Sequence, residues 1–195
     1  TKWIFVIQEW WGLNDYIRNE AEKLHKEFPD AHIFALDMYD GKTATKREEA
    51  AALMQAAKPE RLEKIITNAA IFAGKDAKIA TIGWCFGGAW SNKAAVLLGD
   101  KVVASVMYYG MPVNDSSQLI QIKAPVLGIF AEMDGWITPK VVEEFKSNME
   151  KVNKSIEIHS YAADHAFANP SNPKFNKEFA DDAWSKSIAF FKKYL

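Results

Sequence analysis

The sequence predicts an α/β fold, a mostly parallel sheet of about six strands with helices on both faces. Three observations lead there. Six apolar runs rich in Val, Ile, Phe and Tyr are spread along the 195 residues. Segments of helical periodicity lie between them. Several of the runs are apolar nearly end to end, as strands covered on both faces must be.

The strands are placed at Trp3–Gln8, Ala31–Leu36, Lys78–Gly83, Val102–Tyr109, Pro125–Glu132 and Ile156–Tyr161. Each carries the β-branched and aromatic enrichment that suits a pleated surface. Helical spacing covers Tyr16–Phe28, Glu48–Ala73 with a break at Pro59, Phe86–Leu98, Pro139–Val152 and Phe175–Tyr194. In the last of these, Phe179, Ala183 or Trp184, Ile188, Phe191 and Leu195 return on one face while lysines fill the other, solvated, face. The polar stretch Asp40–Arg47 reads as a loop able to lie over a site. No repeat, low-complexity tract or linker divides the chain, so residues 1–195 are expected to form one domain.

Composition narrows the function classes. With 24 basic and 25 acidic residues no global field favours nucleic acid or an anionic membrane. No apolar run approaches the roughly 18 residues of a membrane span. The single cysteine cannot form an internal disulfide, and the chain opens on Thr1-Lys2-Trp3 rather than on a basic stretch followed by a long apolar segment. The expected setting is the cytoplasm, and the expected partner is a small molecule held by a local site, on a monomer or weak homodimer.

The strongest local signal is Gly83-Trp84-Cys85-Phe86-Gly87-Gly88, which follows the strand Lys78-Ile79-Ala80-Thr81-Ile82 and opens a helix. It matches the nucleophile elbow G-x-S-x-G with cysteine in place of serine. A sharp strand-to-helix turn brings the residues two places either side of the nucleophile together, where no Cβ fits, and Gly83 and Gly87 answer that demand. The turn sets the sulfur at a helix N-terminus, where free N–H groups favour developing negative charge, with the Phe86 N–H as the natural oxyanion donor. Taken alone, a buried cysteine is as often an inert small hydrophobe.

Chain order decides between the two readings. This class of site presents nucleophile, acid and histidine in that sequence, each after a strand. Asp134 follows the buried run Val126–Phe130 in a strand-end turn, although Asp-Gly is also an ordinary turn signal. His165 lies in the loop beyond Ile156–Tyr161. The other histidines, His25, His32 and His159, fall on a charged helix, a strand start and an alternating strand face, and read as structural or solvated. His165 would exchange a proton with the thiol and the leaving group while Asp134 fixes the ring. Asp164 is a poor rival acid because it adjoins the histidine.

Further motifs make a resemblance specific. Ile7-Gln8-Glu9-Trp10-Trp11-Gly12-Leu13-Asn14, Leu36-Asp37-Met38-Tyr39, Gly83–Gly88, Tyr108-Tyr109-Gly110, Met133-Asp134 and His165-Ala166-Phe167-Ala168 together resemble the dienelactone hydrolase (carboxymethylenebutenolidase) family, over nearly the whole chain. The resemblance implies the α/β-hydrolase fold; typical members carry an extra N-terminal strand pair, so the chain is expected to be either a version of the fold shortened at the N-terminus or one trimmed there. It implies that Glu9 holds the resting Cys85 thiol through a hydrogen bond, and that the Trp10 N–H completes the oxyanion hole. It also implies cofactor-free, metal-free acyl transfer to Cys85 from a lactone or ester, followed by hydrolysis.

Departures from the pattern bear on substrate. The family grips a substrate carboxylate with two arginines. Here only Arg47 aligns loosely with one of them, Asn169 stands at the other, and Ala51 replaces a family tyrosine. Trp10, Trp11, Trp84, Phe86 and Trp136 lie in or beside the site motifs, so a more apolar pocket is expected, with core tryptophans as the alternative. Substrate contact is assigned to Arg47, Trp11, Trp84, Trp136 and Asn169. The leading function is hydrolysis of small esters or lactones. The alternatives are a thioesterase or deacylase on the same triad, and a non-catalytic domain with a redox-sensitive thiol.

Overall fold

A computed structural model describes residues 1–195. Its six strands are β1 (Lys2–Ile7), β2 (Ala31–Leu36), β3 (Lys78–Trp84), β4 (Val102–Tyr108), β5 (Val126–Ala131) and β6 (Ile156–Tyr161). Its helices are α1 (Asp15–Glu27), α2 (Arg47–Ala56), α3 (Pro59–Ala73), α4 (Phe86–Leu98), α5 (Ser116–Leu119), α6 (Pro139–Lys151) and α7 (Lys177–Tyr194). All five strand pairings are parallel, in the order β2-β1-β3-β4-β5-β6. This is the expected fold class.

Alternation along the strands builds the two layers. Ile4 and Val6 of β1 join Ala80, Ile82 and Trp84 of β3 against Ile17 and Leu24 of α1 and Ile188 and Phe191 of α7. Phe5 and Ile7 face the opposite way, onto Leu62 and Ile66 of α3 and Ala94 of α4. On that same side Val126 and Phe130 of β5 meet Val142, Phe145 and Met149 of α6. Burying an aliphatic or aromatic core side chain stabilises by about 1.5–3 kcal/mol, so both layers are needed to order the sheet.

Element ends follow local chemistry. The predicted break at Pro59 is real: α2 stops at Ala56 and Pro59 opens α3 at a position where no N–H is required. The last helix starts at Lys177 rather than Phe175, because the Asn176 side chain accepts the Phe179 N–H and caps it. The short α5 carries no apolar periodicity and was not expected.

Strand order also locates the crevice. From β1 the chain steps outward to β2, then crosses back to β3 on the far side of β1. The winding reverses between β1 and β3, so a cleft opens beyond their C-terminal ends. Glu9 and Trp10 leave β1 there, and Cys85 leaves β3.

Candidate active site

Cys85 occupies the turn between β3 and α4 with φ 57° and ψ −118°, a conformation costly for any residue with a side chain. The glycines around it are sterically required. A Cβ on Gly83 would lie 2.0 Å from the Gly87 carbonyl oxygen, and one on Gly87 would lie 2.1 Å from that of Ile7. The first turn of α4 is thus pressed against the ends of β1 and β3, which fixes where the sulfur sits.

Asp134 and His165 arrive from the loops after β5 and β6. The His165 Nδ1–H donates to Asp134 Oδ2 at 2.5 Å, which leaves Nε2 to accept from the Cys85 thiol at an Nε2–Sγ distance of 3.2 Å. Asp134 is buried, and its Oδ1 accepts the N–H groups of Trp136 (2.8 Å) and Ile137 (3.1 Å). Burial pushes its carboxyl up. The hydrogen bond from His165 and those two N–H groups outweigh that and hold it below the usual carboxylate range.

Burial pushes the Cys85 thiol up to about 12, and the nearby Glu9 carboxylate adds to the push, while N–H groups of Phe86 and Trp10 donate toward the sulfur and oppose it. Two backbone donors therefore converge from opposite walls of the cleft, one from α4 and one from the β1 exit.

Glu9 differs from expectation. No hydrogen bond joins it to Cys85. Its Oε1 accepts from Asn169 Nδ2 at 2.8 Å instead, across a sequence separation of 160. Asn169 Oδ1 accepts the Ser171 N–H at 2.8 Å, so the amide must present its NH₂ to Glu9. Glu9 is buried, so desolvation, reinforced by the Glu20 carboxylate, raises its pKa to about 8 against the lowering effect of Asn169. Burial thus favours the protonated form of Glu9.

The cleft above the sulfur has a volume of about 380 Å³ and is lined chiefly by hydrophobic residues, among them Trp10, Trp11, Phe86 and Trp136. Arg47, at the start of α2, reaches its edge with its guanidinium 5.8 Å from the Trp10 ring centroid. The loop Asp40–Arg47 that delivers it is tied down: Ala44 N–H donates to the Trp11 carbonyl, and Gly41 N–H to Asp37. Gly12, at φ 96°, lets this loop approach, since a Cβ there would meet the Lys42 carbonyl oxygen at 2.5 Å.

Two expected substrate contacts are corrected. Trp84 is 1% exposed and packs between Tyr16 and Tyr108 in the α1–α7 core layer, because it shares the face of Ala80 and Ile82. Asn169 is buried behind Glu9 rather than on the cleft wall. Sequence reasoning missed Met54 of α2, and Met111 and Tyr109 after β4. Tyr109 was within reach as part of the Tyr108-Tyr109-Gly110 motif. Its ring centre lies 5.2 Å from that of His165, and its φ is 31°.

Comparison with known proteins places these features. The family model "Dienelactone hydrolase family" matches residues 1–195. The chain is 31% identical to "Protein usf" of Aquifex pyrophilus, covering 98% of this chain and 88% of that protein. It is 27% identical, with the same coverage, to a protein of Aquifex aeolicus (strain VF5) named "Putative carboxymethylenebutenolidase". The crystal structure of the dienelactone hydrolase-like promiscuous phosphotriesterase P91 from metagenomic libraries superposes with a TM-score of 0.86 over 100% of this chain and 87% of that one, at 19% identity, a likeness of fold.

Proposed function

Because the chain belongs to the dienelactone hydrolase family, a family of ester and lactone hydrolases, we propose that it cleaves small carboxylic esters or lactones through a Cys85–His165–Asp134 triad and a thioester intermediate. The observation that carries this reading is the line Asp134 Oδ2–His165–Cys85 Sγ, with the Phe86 and Trp10 N–H groups directed at the same sulfur.

The chemistry follows from the geometry. Sγ attacks the carbonyl carbon as His165 Nε2 takes the thiol proton, and Asp134 stabilises the resulting imidazolium. The oxyanion of the tetrahedral species accepts the N–H groups of Phe86 and Trp10. On collapse the C–O bond breaks, and His165 returns its proton to the alcohol or enol. In a lactone that hydroxyl stays tethered to the acyl group. Water, deprotonated by His165, then cleaves the thioester and restores the thiol. A thiol pushed up by burial is mostly protonated at rest, so the imidazole must remove its proton as attack proceeds. That same raised pKa argues against a redox-sensing role, which needs a resting thiolate.

The test is steady-state hydrolysis of p-nitrophenyl acetate by the wild type, Cys85→Ala and His165→Ala, with mass spectrometry of the quenched wild-type reaction. Turnover by the wild type alone, with an acetyl adduct on the peptide containing Cys85, is expected. Undiminished turnover by Cys85→Ala would refute the assignment.

A further inference from the structure

Resting on that reading, we propose that the acyl group accepted by this site is neutral and apolar, seated on an apolar collar formed by Met54, Met111 and Trp136, and that Arg47 serves as a packing wall and not as a receptor for a substrate carboxylate.

Four observations converge. Met54, Met111 and Trp136 are 39%, 50% and 64% exposed, which makes them three of the seven exposed large hydrophobic residues of the molecule, and all three line the one cleft that holds Cys85. Exposed apolar surface gathered around a cleft marks a binding groove, and two methionines give it a wall that can adapt to the shape of its occupant. Trp136 is further fixed edge-on to His165, with ring centroids 5.8 Å apart, so a group lying on it lies beside the catalytic imidazole.

Away from the sulfur the cleft also carries little that would hold a carboxylate. Arg47 is its only lysine or arginine, and its guanidinium lies against the Trp10 ring. Exposed at the cleft edge, this one guanidinium offers a carboxylate only a weak, solvent-screened ion pair, with no second arginine to close the grip from the other side. Asn169 is buried off the cleft wall, so the side-chain amide that lines the cleft is that of Asn172, whose Oδ1 accepts the Lys174 N–H and whose NH₂ is a neutral donor without charge to offset desolvation. A carboxylate entering this cleft would lose its hydration with little in return, whereas a hydrocarbon chain or arene meets matching surface.

A matched pair of substrates tests the idea: p-nitrophenyl hexanoate and mono-p-nitrophenyl adipate, equal in chain length and differing by a terminal carboxylate. The neutral ester is expected to have a kcat/KM at least about tenfold higher. Trp136→Ser should lower the hexanoate-to-acetate ratio of kcat/KM several-fold, and Arg47→Gln should leave the hexanoate-to-adipate ratio within about threefold of the wild type. Equal or better hydrolysis of the adipate ester, with that advantage erased by Arg47→Gln, would overturn the proposal. Binding separates this proposal from the catalytic one. Hexanamide and adipic acid monoamide are titrated against Cys85→Ala by tryptophan fluorescence. Tighter binding of hexanamide supports the apolar site even if no ester is turned over, and tighter binding of the acid amide refutes it even if esters are.

Discussion

Glu9 shows what one buried carboxyl does to the whole chain. Its pKa is raised from an ordinary carboxylate value to about 8 by burial, so between about pH 4.5 and 8 the folded state keeps a proton that the unfolded chain releases. Stability from this group is full at acid pH and falls as pH rises through that window, by an amount on the order of a few kcal/mol. Urea denaturation from pH 5 to pH 8 should show the decline, and Glu9→Gln should flatten it. Asn169→Ala, which strips the donor from Glu9, should cost about 1–3 kcal/mol in the same measurement. Asp134→Asn keeps the shape of the triad but removes the charge opposite the imidazolium. Its kcat is expected to fall about 10²–10⁴-fold, less than for Cys85→Ala or His165→Ala under the same assay. At this scale the sequence was legible where spacing carries the chemistry: two glycines flanking Cys85, then an acid and a histidine after successive strands. It was not legible where a partner is remote, as with Asn169 and Glu9. Trp84 was misread for another reason. Its nearness to Cys85 drew attention, while the alternation Ala80-Ile82-Trp84, which assigns it to the core, was the better guide.

Among the elements, the junction of β3 and α4 is the least tolerant. A methyl group on Gly87 would enter the carbonyl oxygens of Ile7 and Gln8 at 2.1 and 2.3 Å, both of them backbone atoms that cannot swing aside. Gly87→Ala is therefore expected to destabilise by roughly 3 kcal/mol or more. Gly135, in the turn after Asp134, has nothing within 4 Å of its would-be Cβ, and Gly135→Ala should stay within about 0.5 kcal/mol of the wild type. Chemical denaturation of the two variants side by side checks both. Strands and long helices were readable because each has a periodic apolar face, down to the Pro59 break. The cleft wall was not, because Met54 and Met111 sit on separate elements that only the packed sheet brings together. Cys85, Tyr109 and Ala166, all in the cleft, are three of the five non-glycine residues at positive φ. Backbone strain is thus concentrated where the chemistry is assigned.

For the molecule as a whole, the site has no single owner. Glu9, Cys85, Asp134 and His165 come from the exits of β1, β3, β5 and β6, so the sheet must be complete before the four can meet. Loss of ester hydrolysis and loss of buried-tryptophan fluorescence should therefore coincide in denaturant as one transition, as expected of a single domain. Separated midpoints would point to a site that melts ahead of the sheet. The lone sulfur of Cys85 has a practical corollary. With no second cysteine anywhere in the 195 residues, a haloacetamide or maleimide reaching the cleft leaves a mark at one address, beside His165. Protection of the thiol by any candidate ligand then reads out occupancy of the cleft without a turnover assay.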